Sequence, residues 1–245
     1  MVYDVHGDGP GVVLIHGWTC RRTDFDGVVA DLARDHRVMA LDLPWHGDST
    51  ATARHWTLID LAAVVDAVAG AEGMRDAALV GHSMGAAVAV ETVLAGTGHR
   101  VISLDGLTFM HMYPRQSEVA ANAFLDPFRA DFAGAIRLLC ERAAGPGCDP
   151  ALVSRMADAM CRTDPDVAIG MMDELMRWDM DAALDRAEEA GTAVHVFAAS
   201  ALLSEAAVAR YGQRLSIVPV DLGGHFFPVE HPGATADLIR GALAG

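Results

Sequence analysis

The chain has 245 residues, 52% of them hydrophobic and 21% charged, which is enough to bury one sizeable core and suits one domain with an insertion better than two full domains. A net charge of −15, with scattered acidic residues and no basic cluster, argues against nucleic acid, an anionic membrane or a highly anionic substrate as partner. No run of 18 apolar residues marks a membrane span, the start Met1-Val2-Tyr3-Asp4 lacks a signal-peptide pattern, and Cys20, Cys140, Cys148 and Cys161 show no C-x-x-C spacing, so free thiols in a reducing cytoplasm are expected.

In chain order, Val12-Val13-Leu14-Ile15 is a fully apolar run ending at His16-Gly17, as a buried parallel strand reads. Phe25 to Arg34 has helical spacing, with Phe25, Val28, Val29 and Leu32 on one face. Arg37 to Leu41 is the next strand, and Leu58 to Val68 a helix with Leu58, Leu61, Val65 and Val68 inward. A strand ending at Val80, a helix from Ser83 and a strand Val101 to Leu104 follow. This alternation implies right-handed crossovers and a mainly parallel sheet covered on both faces, an α/β fold.

From about Gly106 to about Glu189 the pattern is helical without a strand, punctuated by Pro114, Pro127, Gly145-Pro146-Gly147, Pro150 and Pro165. Eight of the 12 methionines lie between Met110 and Met180, a clustering that reads as helical core filler, as a deformable apolar pocket wall, or as both. The β/α alternation resumes with a strand Ala193 to Phe197, a helix around Glu205 to Tyr211, a strand Ser216 to Val220 and a last helix after Pro232. The expected organisation is therefore a core of residues 1–105 and 190–245 with an inserted helical cap, 106–189.

Gly81-His82-Ser83-Met84-Gly85 lies between the apolar run Ala77 to Val80 and the helix-compatible run Ala86 to Val90. A strand, a one-residue elbow and a helix make a turn too tight for side chains at Gly81 and Gly85, with a strained serine at its tip. Ser83 is the candidate nucleophile. A serine hydroxyl needs an adjacent base, and of the eleven histidines His225 has the best position, in a loop after the last strand. His16, His46 and His82 read as groups that fix loops, and His195 as a sheet histidine. The oxyanion donors are expected to be the amides of Trp18, after the first core strand, and Met84, at the start of the elbow helix. Trp18, His111, Met112 and Trp178 are candidate pocket residues. No histidine–carboxylate pair has metal-ligand spacing, and no metal or cofactor is expected.

His16-Gly17-Trp18, Asp42-Leu43-Pro44-Trp45-His46-Gly47-Asp48-Ser49, Gly81-His82-Ser83-Met84-Gly85 and Gly224-His225-Phe226 resemble, in order, the motifs of the α/β-hydrolase superfamily. They bracket nearly the whole chain outside the cap. Trp45 stands where many relatives have glycine. Most relatives also place an acid after the penultimate strand, but here Phe197 to Glu205 holds no aspartate. Two carboxylates remain to orient the histidine. Asp105, at the end of the strand Val101 to Leu104, is preferred and resembles the placement in some lipases and dehalogenases of the superfamily. Glu205 is the alternative.

The resemblance is specific for the fold and weak for substrate; with Ser83, His225 and Asp105 and the methionine-rich insertion, the leading expectation is a serine hydrolase for an ester, lactone or thioester of a small apolar acid. A narrower similarity, in the H-G-W start, Leu222-Gly223-Gly224-His225 and His195-Val196-Phe197, is to cofactor-free 3-hydroxy-4-quinolone 2,4-dioxygenases. Those enzymes tend to carry histidine after the elbow serine, where this chain has Met84. Their resemblance implies a His–Asp base acting on an N-heteroaromatic ring. A non-catalytic binding protein on a hydrolase scaffold is the third reading.

Overall fold

The computed structural model describes residues 1–109 and 115–245, so the pocket candidates His111 and Met112 lie outside the described residues. In chain order the elements are β1 (Tyr3–His6), β2 (Gly11–Ile15), α1 (Asp26–Leu32), β3 (Arg37–Leu41), α2 (Leu58–Ala71), β4 (Ala78–His82), α3 (Met84–Ala95) and β5 (Arg100–Leu104). Helices α4 (Glu118–Ala130), α5 (Phe132–Ala143), α6 (Pro150–Met160), α7 (Pro165–Arg177) and α8 (Met180–Glu189) follow. The chain then returns through β6 (Ala193–Ala199), α9 (Glu205–Tyr211), β7 (Ser216–Val220), α10 (Phe227–Glu230) and α11 (Pro232–Ala244).

The strands form one seven-stranded sheet in the order β1-β3-β2-β4-β5-β6-β7. All neighbours are parallel except β1, which runs antiparallel to β3. Side chains alternate across a strand. In β2, Val13 and Ile15 therefore join the core layer under α2 and α3, whereas Val12 and Leu14 join the layer under α1 and α11. Both faces are covered, which is why these runs are apolar throughout rather than alternating.

Local chemistry fixes the helix starts. Thr57 accepts from the Asp60 N–H at 3.1 Å while the Asp60 carboxylate accepts from the Thr57 N–H at 3.0 Å, a reciprocal cap on α2. The aspartates Asp131, Asp149, Asp164 and Asp179 likewise cap α5, α6, α7 and α8, each such cap stabilising its helix by about 1 kcal/mol. All five helices α4–α8 thus fall between β5 and β6, two strands that pair directly with each other. The insertion therefore leaves and re-enters the sheet at adjacent positions without interrupting it.

Two elements differ from the sequence reading. β1 was not expected, because Tyr3-Asp4-Val5-His6 alternates on an edge and carries no apolar run. The short helix α10 follows directly on His225 and starts with Pro228 in its first turn. Among the described residues, no helix is long and apolar enough to cross a membrane.

Candidate active site

β4 rises through the centre of the sheet and ends at the elbow. Ser83 has φ 53 and ψ −124, a left-handed backbone that costs an ordinary residue free energy and turns its side chain out of the sheet. The elbow closes on itself. A Cβ at Gly81 would strike the Gly85 carbonyl, and one at Gly85 would strike the carbonyls of Ile15 and His16. Met84 opens α3, so its N–H has no partner within that helix. Trp18 stands opposite, in a turn closed by the Cys20 N–H on the Gly17 carbonyl at 3.1 Å.

His225 lies in the loop between β7 and α10. Its Nδ1 and Asp105 Oδ2 are 2.7 Å apart, both residues being buried. Asp105 leaves the carboxyl end of β5 with φ 46. Its N–H donates to the Phe197 carbonyl at 2.7 Å, and its Oδ1 accepts the Ala199 N–H at 2.9 Å. The carboxylate is thereby satisfied on both oxygens, one by the imidazole and one by the end of β6. Glu205, the alternative carboxylate, is exposed on the first turn of α9, and its helix is capped by Ser204. The structure thus brings Asp105 to the imidazole and not Glu205.

The backbone of His225 is clamped from both sides. Its N–H donates to the Ala143 carbonyl at the end of α5, at 2.8 Å, and its carbonyl accepts from His82 Nε2, also at 2.8 Å. Gly224 and Gly145 pack backbone against backbone, and a Cβ on either would collide with the other. This contact ties the insertion to the histidine loop.

The three histidines read as loop-fixing groups all bond backbone. His16 donates from Nδ1 to the Gly17 carbonyl at 2.8 Å and accepts the Leu43 N–H on Nε2 at 2.9 Å, joining the loops after β2 and β3. His46 donates from Nδ1 to the Pro44 carbonyl at 2.9 Å. Burial strips these rings of water and disfavours their charged forms. It pushes His46 down to about 4, and it pushes His82 down to about 3 with help from the nearby His225 ring. Trp45, in the same loop, has φ 64, the left-handed conformation that a glycine would adopt without strain. Its indole N–H donates to the Ala53 carbonyl at 2.6 Å, and the Arg54 guanidinium lies 5.2 Å over its ring.

Ser83 and His225 line one narrow cavity of about 30 Å³, roughly two waters' worth. Among the described residues, Trp18, Cys20, Phe109 and Phe226 also line it. The insertion supplies Phe124, Leu139, Ala143, Met160 and Met172. Two methionines of the cluster thus face the cavity, while Met156, Met171, Met176 and Met180 are buried in helix packing. Trp18 also joins the two halves, its indole N–H donating to the Ala168 carbonyl of α7 at 2.7 Å. Burial holds the Cys20 thiol well above its ordinary range and therefore neutral.

One pocket candidate is corrected. Trp178 does not line this cavity. Its indole N–H donates to Glu91 Oε1 at 2.7 Å, and Arg186 reaches the same carboxylate at 3.0 Å. Glu91 is buried on α3, so it needs donors, and the tryptophan is drawn to it rather than to the cavity. Besides the expected Trp18 and two methionines of the cluster, the lining includes Phe109, Phe124, Leu139 and Phe226, which nothing in the sequence marks as pocket residues. Each sits in an ordinary apolar pattern, and only the fold brings them together. Among the described residues, no group of three His, Cys, Asp or Glu side chains could hold a metal ion.

Residues 12–238 match the model of the alpha/beta hydrolase family. Over 147 residues the chain is 36% identical to a pimeloyl-[acyl-carrier protein] methyl ester esterase of Methylococcus capsulatus, a match that covers 55% of this chain and 53% of that protein. The chain thus spans about half the length of that relative. Among solved structures, a hydrolase from Oleispira antarctica superposes with a TM-score of 0.84 at 18% identity, covering 99% of this chain and 94% of the other. The enol-lactonase from Burkholderia xenovorans superposes with a TM-score of 0.83 at 17% identity, covering 100% and 96%. At these identities the superpositions speak for the fold. The family model spans nearly the whole chain and includes the elbow, Asp105 and His225, and on that match the chain belongs to the alpha/beta hydrolase family.

Proposed function

We propose that the protein is a serine hydrolase that cleaves an ester, lactone or thioester of a small apolar acid through an acyl-enzyme. The observation that carries this reading is the shared cavity: strained Ser83 and His225 open onto the same apolar space, and the other nitrogen of His225 is held by Asp105 at 2.7 Å. Ser83 Oγ attacks the substrate carbonyl while His225 Nε2 takes its proton. The negative oxygen that forms is held by the amides of Trp18 and Met84. His225 returns the proton to the leaving oxygen or sulfur, and the carbon–heteroatom bond breaks. Water then attacks the acyl-enzyme with His225 again as base, the bond between the acyl carbon and Ser83 Oγ breaks, and His225 returns the proton to Ser83 as the acid leaves. Asp105 fixes the ring tautomer and stabilises the imidazolium throughout.

The apolar wall favours an uncharged acyl group. Methionine side chains can change rotamer without breaking polar contacts, which gives a narrow cavity a way to accommodate substrate. No step needs a cofactor. The esterase and the lactonase among the similar proteins support the bond type by analogy alone.

A fluorophosphonate probe is expected to label wild-type protein at Ser83 and to leave Ser83→Ala unlabelled. The variant is expected to lose roughly 10⁴- to 10⁶-fold in kcat on an activated ester. The position of Asp105 on the earlier strand equally suits a His–Asp base in a cofactor-free dioxygenase, and the same assay separates the two. Oxygen uptake stoichiometric with loss of a hydroxyquinolone, persisting in Ser83→Ala, would replace the hydrolase reading. No turnover in either assay would favour a binding role.

A further inference from the structure

The proposed chemistry uses only the edges of the His225 imidazole. One of its faces is covered by Phe109, with ring centroids 3.7 Å apart and planes 21° apart, a stacked pair. His82 lies at 4.6 Å and 40°, and Phe226 meets the ring at 5.5 Å and 66°. Phe109 is itself buried and fixed. Its N–H donates to the Gly106 carbonyl at 3.1 Å, and its backbone bridges Leu203 beyond β6. It lies four positions after Asp105 in the chain. One short segment leaving β5 therefore brings a carboxylate to the Nδ1 edge of the imidazole and a benzene ring to its face.

The face of a benzene ring carries negative potential and attracts a cation resting on it. A neutral imidazole gains far less from the same contact. The stacking therefore distinguishes the two protonation states of His225, and it is strongest when the ring is charged and shielded from water. We propose that Phe109 is a positioning residue of the reaction, whose ring face stabilises the imidazolium formed when Ser83 gives up its proton. This rests on the serine hydrolase reading above and adds no covalent step. The proton still moves from Ser83 Oγ to Nε2. Among the described residues, the other polar or titratable groups around this ring are the Asp105 carboxylate, which favours the cation, and the Ser83 hydroxyl, with His82 and Cys20 both held neutral by burial.

Two variants separate an electrostatic role from space filling. Phe109→Leu keeps apolar bulk but removes the ring, and Phe109→Tyr keeps the ring. On an activated ester, Phe109→Leu is expected to lower kcat by about 2- to 30-fold, with a smaller change in KM. The acidic limb of its kcat/KM profile should move to lower pH, and Phe109→Tyr should stay near wild type in both respects. The substrate-free control is an NMR titration of ¹⁵N-histidine-labelled protein, following the ring signals that disappear in His225→Gln. The protonation midpoint of those signals should fall in Phe109→Leu and not in Phe109→Tyr. Equal titration of the wild type and both variants would overturn the proposal. A wild type inert on every ester would overturn the hydrolase reading instead, and the titration would still decide the role of Phe109.

Discussion

The loop leaving β5 and the loop leaving β6 start side by side, with Leu104 and Phe197 in register at the carboxyl edge of the sheet. The first carries Asp105 to the imidazole. The second has no carboxylate at the corresponding place, and Glu205 is exposed on the following helix. The second loop nevertheless serves the same imidazole, because the Ala199 N–H binds Asp105 Oδ1 and the Leu203 backbone bridges Phe109. Neighbouring parallel strands end at nearly the same point in space. A side chain from either can reach one histidine, and the strand that lacks the acid supports it through its backbone.

Breaking the side-chain half of this arrangement should have the largest effect. Asp105→Asn is expected to cost up to about 10⁴-fold in kcat on an activated ester, because an amide favours the wrong ring tautomer. Folding of the variant is checked by circular dichroism. Breaking the backbone half should cost less. Replacing the Ala199 amide by an ester, with lactic acid incorporated at 199, removes one donor to a buried carboxylate. A loss of about 1–3 kcal/mol in denaturant unfolding is expected, with roughly a tenfold lower kcat.

The loops after β2 and β3 sharpen the contrast, since the neutral imidazoles of His16 and His46 help to hold them, beside the buried Asp42 carboxylate that accepts the Asp48 N–H. A ring held near 4 when folded and near 6.5 when unfolded binds fewer protons in the native state between those values. Its stabilising contribution is present above pH 6.5 and is lost as the pH falls towards 4. His46→Asn keeps a donor for the Pro44 carbonyl and removes this titration. The fall in unfolding free energy between pH 6.5 and pH 4 is expected to shrink by an amount on the order of 3 kcal/mol. The smallest effect belongs to Glu205→Gln, which should stay within about twofold of wild type in kcat; a loss matching that of Asp105→Asn would move the acid to the other loop.

The elbow and the strands were legible because each follows from a local rule. Fully apolar runs such as Val12 to Ile15 can only be covered on both faces, and Gly81 and Gly85 stand where a side chain would strike backbone. Asp105 was legible by elimination and by its position at a strand end. β1 was not, because its edge pairing to β3 depends on a partner more than thirty residues away. The cavity wall was legible only in part, since Trp18 and the methionine cluster pointed to it but not to the particular insertion residues that face it. Phe124 and Met172 look like any apolar helix positions, and only the packing of α4 on α7 selects them from similar residues nearby. Trp178 illustrates the same limit from the other side, since its environment is set by a glutamate on a helix far away in sequence.

The backbone contact between Gly145 and Gly224 restricts how this insertion can be exchanged between related chains. Helices α4–α8 leave and re-enter the sheet at adjacent strands, which by itself would let them be replaced as a cassette. Yet the Ala143 carbonyl holds the His225 N–H, and the glycine pair leaves no room for a Cβ on either side. A chimera carrying a foreign insertion must reproduce that short glycine strip as well as the two junctions. A library recombined only at 117 and 190 is expected to yield folded proteins whose histidine loop is out of place, unless the donor segment also brings a glycine opposite Gly224.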